Sequence, residues 1–249
     1  MPIPAVNAPL AHADALVLGQ RISLDRVHAR GLRFREINPK EAFTLVDKEG
    51  RFFRASLATL TEDGGEALVY EAMTNSPESP ARITLLCAVL ARQRMLGVIQ
   101  KATELGVVRI VPLLSERSVQ RDGLAHEKAH AWPGQALRAS RQCRRASVPE
   151  VRGAVSLAAA LDDESFEAAH LRFYLDFDGT RDRIAPAQDG SAERDLALAV
   201  GPEGGWTDEE RQLLRDRDAS VLRLGGRVLR AETAVLVGVA RLQQMYGDL

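Results

Sequence analysis

The sequence predicts an α/β protein in two parts, a small antiparallel β-barrel or sheet followed by a larger domain with a parallel or mostly parallel sheet. Three observations carry this reading. Up to about Met73 the apolar runs are short and separated by turns; beyond Pro80 strand-like and helix-like segments alternate; and two glycine-rich segments near the C-terminus each follow a short apolar run and open into a helix-like pattern.

In the first part, strands are expected at Ala42 to Val46, Phe52 to Leu60 and Ala67 to Met73, with turns at Asp47 to Gly50 and at Asp63-Gly64-Gly65. Thr74 to Pro80 contains two prolines and two serines and reads as a linker, so the division is placed between residues 75 and 76. The second part reads as strand Ile83 to Leu90, helix Arg92 to Leu105, strand Val107 to Leu113, helix Leu124 to Arg145 and strand Leu171 to Leu175. Strands Leu196 to Val200 and Val221 to Leu224 then lead into the two glycine segments. The last helix, Glu232 to Met245, is apolar nearly all round and is expected in the core or in a subunit interface.

Those segments are Gly201 to Glu210 (GPEGGWTDEE) and Leu224 to Ala234 (LGGRVLRAETA). Two strand-loop-helix units so close together imply adjacent strands whose C-terminal loops share one crevice, a place where small molecules bind. A phosphate ligand fits poorly: Thr207 and Glu210 match a capping box that satisfies the helix N-terminal donors, and no lysine follows Lys128. Neither loop carries G-x-G-x-x-G. A nucleoside held by backbone groups in an apolar slot fits better.

The 249-residue chain is 45% hydrophobic and 27% charged with a formal net charge of −1, an ordinary globular composition that neither announces nor excludes nucleic acid. Cys87 and Cys143 form no metal or redox motif, no apolar run approaches a bilayer span, and no basic segment precedes Leu16 to Leu18, so a cytoplasmic protein with no membrane association is expected. Arg138, Arg141, Arg144 and Arg145 fall within about 120° of a helix circumference and form one expected basic face. Arg109, Arg117 and Arg121 are positioned to extend it toward nucleic-acid phosphates. His126 and His130 share a helical face at i, i+4, yet without a third ligand they read as a solvated pair, and no metal is expected.

Phe173 to Thr180 (FYLDFDGT) resembles the first motif of the haloacid dehalogenase-like phosphotransferases, with Asp176 as nucleophile and Asp178 beside it. A longer set of motifs points elsewhere. Both glycine segments, together with Gln100 to Val107 (QKATELGV) and Pro112 to Val119 (PLLSERSV), are similar to the SPOUT-class S-adenosylmethionine-dependent methyltransferases that modify N3 of a uridine in 16S ribosomal RNA. Val27 to Arg33 stands where that family has an H-L-x-x-V-L-R stretch, and Arg141 to Pro149 resembles its EQSGR-x-x-VP block with Arg141 for Glu and Arg144 for Gly.

The resemblance implies a PUA-like RNA-binding β-barrel, a SPOUT α/β domain with a deep trefoil knot, a homodimer, and 16S rRNA or the small ribosomal subunit as substrate. It implies S-adenosyl-L-methionine held by Gly201, Pro202, Glu203 and Gly204 on one side and by Leu224, Gly225, Gly226, Val228, Leu229 and Thr233 on the other. Arg230, then Arg227, are the candidates for stabilising an anionic uracil, with Glu232 as orienter or proton acceptor; an Arg230–Glu232 ion pair that merely fixes the loop is the competing reading. Arg33, Arg117, Arg138, Arg141, Arg144 and Arg145 are the candidate RNA contacts. The other readings are a related enzyme with a different RNA target, a non-catalytic RNA-binding protein, and the phosphotransferase.

Overall fold

The computed structural model describes residues 5–177 and 193–249. Its contacts divide the chain into two compact units: a smaller one that runs to Glu78 and includes Leu137–Val148, and a larger one made of Ser79–Ala136 and Pro149–Leu249. Residues 137–148 thus join the smaller unit, which a single division between residues 75 and 76 does not provide for.

The smaller unit contains β1 (Leu10–Ala11), β2 (Arg21–Leu24), α1 (Arg26–Phe34), β3 (Ala42–Val46), β4 (Phe52–Leu60) and β5 (Gly65–Ala72). Its five strands are ordered β1-β3-β4-β5-β2; β1 lies parallel to β3 and the other pairs are antiparallel. Alternate residues of β4 and β5, among them Phe53, Ala55, Leu57, Ala67 and Val69, enter one core with Leu32 of α1 and Leu45 of β3. Helix α1 escapes sequence reading because its segment is rich in arginine and contains Gly31. A Cβ at Gly31 would lie 2.4 Å from Leu10 Cδ2, so a larger residue there would force the Leu10 side chain to shift.

After β3 the chain turns on Asp47, whose buried carboxylate accepts hydrogen bonds from the backbone N–H of Leu16 (3.2 Å), Glu49 (2.9 Å) and Arg51 (3.0 Å) and from Arg51 Nη2 (2.7 Å). Burial alone would raise this carboxyl, but the Arg51 guanidinium and the three backbone donors outweigh it and hold the pKa at about 2. Because the folded value is depressed, the stabilisation is complete above the unfolded value of about 4 and is lost as pH falls toward about 2. Asp47→Asn is therefore expected to melt below the wild type at pH 7, with the gap closing between about pH 4 and 2. A gap that stays constant down to about pH 2 would show that ionisation of Asp47 contributes nothing to folding.

The larger unit contains β6 (Ala81–Ala88), α2 (Arg92–Glu104), β7 (Arg109–Leu114), β8 (Glu150–Val151), β9 (Val155–Ser156), β10 (Leu171–Tyr174), β11 (Arg194–Val200) and β12 (Ser220–Val221). Its later helices are α4 (Leu157–Leu161), α5 (Glu164–Glu167), α6 (Asp208–Asp216) and α7 (Ala231–Tyr246), and α3 (Trp132–Gln142) spans the division between the units. Strands run in the order β12-β10-β11-β6-β7-β8 with β9 also on β7, and every pairing is parallel. Ile83, Leu85 and Cys87 of β6 enter one apolar cluster and Leu86 another, so both faces of the sheet are covered, as parallel sheets require. Total burial pushes the Cys87 thiol up to about 12, which leaves it protonated at neutral pH.

Helix α7 packs on α2, β6 and β11 through Val235, Gly238, Val239 and Leu242, while Val237 is partly exposed. Among the described residues no helix is long and apolar enough to cross a membrane.

The structure corrects three sequence expectations. The helix expected from Leu124 begins only at Trp132, preceded by short 3-10 turns at Arg121–Gly123 and Ala129–Ala131, so His126 and His130 share no α-helical face. Pro133 explains the late start, because its ring and missing N–H are tolerated in a first turn and disruptive farther in. The same helix ends at Gln142 and Arg144 takes a left-handed φ of 63°, so the four arginines do not form one helical face. Finally, β11 and β12 are not neighbours: β10 lies between them.

Candidate functional site

Both glycine segments leave the C-terminal ends of parallel strands on the same edge of the sheet, where backbone groups point outward and ligands bind in α/β folds. They line one cavity of about 450 Å³. Gly201, Pro202, Glu203 and Gly204 line one side and Leu224, Gly225, Val228 and Leu229 another, with Arg227 also present. Gly226, Thr233, Arg230 and Glu232 are not among the lining residues; Gly226 instead lines a smaller adjoining depression with Arg223, Leu224, Gly225 and Arg241. Arg230 is the exposed residue that precedes the first turn of α7 and makes no side-chain capping bond.

Local chemistry holds the first loop. Thr207 and Glu210 form the expected reciprocal cap of α6, Glu210 N to Thr207 Oγ1 at 3.2 Å and Thr207 N to Glu210 Oε2 at 3.0 Å. The other Glu210 oxygen accepts the N–H of Glu116 at 3.0 Å and ties the Ser115–Ser118 segment to the same helix start. Arg117 donates to the Gly204 carbonyl at 2.8 Å and lines the cavity, so this arginine, read from sequence as an RNA contact, supports the glycine loop. Trp206 is buried and donates Nε1 to the Leu175 carbonyl at 3.0 Å.

The last two features lay beyond sequence reading because they depend on distant pairings. Arg94, in the first turn of α2, contacts Glu203 and lies 3.9 Å from Glu232 Oε1, a single guanidinium between the two glycine segments. Glu232 thus faces Arg94 rather than Arg230, and its Oε2 is buried without a hydrogen-bond partner among the described residues. A cation in the first turn of a helix, six residues after the end of β6, is a weak signal by itself. Asp176 lines the cavity with only 8% of its side chain exposed and accepts Arg211 Nε at 2.7 Å, so it is held in an ion pair; Asp178 lies outside the described residues.

Most of the other expected RNA contacts are engaged by acidic or carbonyl groups. Arg145 is buried against Glu78 (2.7 Å), Arg141 meets Glu41 (3.0 Å), Arg144 meets Glu71 (3.4 Å), and Arg33 donates to the Thr61 carbonyl. Arg138 also makes an interaction of its own. Arg109 is buried in an ion pair with Glu150 at 2.6 Å and extends no surface patch.

The profile of an RNA methyltransferase domain matches residues 77–243. The chain is 32% identical to the ribosomal RNA small subunit methyltransferase E of Mycobacterium bovis, over 82% of this chain and 79% of that protein. Its structure is similar to that of the same-named enzyme from Neisseria gonorrhoeae bound to S-adenosyl methionine, at 31% identity and a TM-score of 0.65, covering 97% of this chain and 99% of the other. A putative methyltransferase from Legionella pneumophila, also in complex with that cofactor, shares 30% identity and a TM-score of 0.65 over 96% of this chain and 98% of its own.

Proposed function

The chain belongs to the family of RNA methyltransferase domains, and from that premise we propose that it transfers a methyl group from S-adenosylmethionine to N3 of a uridine in 16S ribosomal RNA. The observation that carries this reading is the convergence of both glycine segments on one cavity at the strand ends.

The residues present suit the cofactor. The cavity lies in the size range of small-molecule sites, and its wall combines apolar surface from Leu175, Leu222, Leu224 and Leu229 with the exposed backbone of glycine loops. A Cβ built on Gly225 would meet nothing within 4 Å, so the second loop leaves open space beside the cavity wall. When bound, the cofactor supplies an electrophilic methyl on a sulfonium. Gly201 to Gly204 and Leu224 to Leu229 hold its adenosyl end through backbone and apolar contacts, with Gly226 and Thr233 flanking.

Arg230 stabilises the uracil imide anion as N3 gives up its proton, Arg227 stands second in that role, and Glu232 orients the base or takes the proton. The orphaned Glu232 Oε2 supports a polar partner arriving there. Arg230→Ala is expected to lower kcat about 10²-fold or more with cofactor affinity unchanged. A rate equal to wild type in single-turnover assays would remove Arg230 from the chemistry.

We extend the same reading to a knotted SPOUT domain, a PUA-like smaller unit that binds RNA, a homodimer and a cytoplasmic location. Arg33, Arg138, Arg141 and Arg144 are the proposed phosphate contacts of that unit, whereas buried Arg145 has a structural role. The test is incubation of unmodified small subunits and naked 16S rRNA with labelled cofactor, then mapping the modified base by reverse transcription, which N3 methylation of uridine arrests. Label incorporated at a position other than uridine N3 would overturn the proposal.

A further inference from the structure

We propose that Asp176 is the ribose-recognition residue of the cofactor cavity, accepting hydrogen bonds from the ribose hydroxyls of S-adenosylmethionine while Arg211 holds its carboxylate in place. The proposal rests on the cofactor reading above and assigns a group that the two glycine segments do not provide.

Strand order places the residue. β10 lies between β11 and β12, with Tyr174 opposite Ala199 on one side and Val221 on the other. The ladder continues one step farther on each side, from Leu175 N to the Ala199 carbonyl and from Leu222 N to the Tyr174 carbonyl. Asp176 therefore leaves the sheet between the strand ends that launch the two glycine segments. An acidic side chain at a parallel strand end is a known solution for binding a ribose diol, because a carboxylate offers about four acceptor positions and no donors.

Two acids line the cavity among the described residues, and they differ in burial. Glu203 is half exposed and engaged by Arg94, whereas Asp176 is 8% exposed. Arg211 Nε donates to Asp176 Oδ2 at 2.7 Å and Arg211 Nη1 to Asp208 Oδ1 at 2.9 Å, so the guanidinium is itself anchored on α6. With Arg211 already compensating its charge, Asp176 suits neutral hydroxyl donors, and a ligand ammonium placed there would approach the arginine. Phe177, Val228 and Leu229 supply apolar surface nearby for the adenine.

The test is calorimetric titration of the intact protein, without RNA, with S-adenosylhomocysteine and with its 2′-deoxy and 3′-deoxy analogues. The wild type is expected to lose about tenfold to a hundredfold in affinity for the analogue that lacks the recognised hydroxyl. Asp176→Ala should bind parent and analogue alike, and Asp176→Asn, which keeps size and one acceptor, should discriminate less than the wild type. If either variant weakens all three ligands by one common factor and still discriminates as the wild type does, Asp176 acts only by shaping the loop and the assignment fails. If the wild type shows no saturable binding of S-adenosylhomocysteine, the cofactor reading fails and the ribose assignment with it.

Discussion

Gly201→Val is expected to lower affinity for S-adenosylmethionine by about tenfold to a hundredfold while the protein remains folded. A Cβ at Gly201 would lie 2.9 Å from Cε2 and 3.0 Å from Cδ2 of Trp206, closer than real contacts allow. The indole cannot simply rotate away: it is 2% exposed and its Nε1 is bonded to the Leu175 carbonyl. Accommodation therefore displaces the 201–206 loop, which forms one wall of the cavity, and overpacking of this kind costs about 1–3 kcal/mol. Titration of the purified variant checks the result. Binding equal to wild type would show that this wall does not contact the cofactor.

The largest expected effect on stability belongs to Glu78, in the segment that reads from sequence as a linker. Its carboxylate accepts Arg145 Nη2 (2.7 Å), Ser147 Oγ (2.6 Å) and the backbone N–H of Ala146 and Ser147 (both 2.9 Å). Burial pushes its pKa up, but Arg145 and Ser147 more than offset that and hold it below the usual glutamate range. Glu78→Ala leaves a guanidinium buried without this partner and removes the acceptor of two backbone donors and a hydroxyl. The cost is about 3–5 kcal/mol, and the smaller unit should melt more than about 10 °C below the wild type. Glu78→Gln, which keeps an acceptor, should fall between them. Melting of Glu78→Ala within about 2 °C of the wild type would show that residues 145–147 are held by other contacts.

The parts of the fold legible in sequence are those governed by neighbours along the chain. Strands β3 and β4 match the expected bounds because strand periodicity and the Asp47–Gly50 turn are local signals. The α6 cap is legible because its two partners are three residues apart. Helix α1 was hidden, since its segment is rich in arginine and carries Gly31 where it meets Leu10, and the late start of α3 was signalled only by Pro133.

At the site, the composition of both loops was legible in sequence alone: their glycines, the reciprocal cap of Thr207 and Glu210, and a family likeness carried by the two glycine segments and the block from Gln100 to Val119. Only the tertiary structure decided what stands between those loops. Strand order inserts β10 between β11 and β12, which brings Asp176 into the cavity beside residues numbered in the 200s and 220s, and Arg94 reaches Glu203 across more than a hundred residues. The physical reason is that strand neighbours are chosen by burying both faces of a parallel sheet, a global condition that leaves no periodic trace near Asp176 or Arg94.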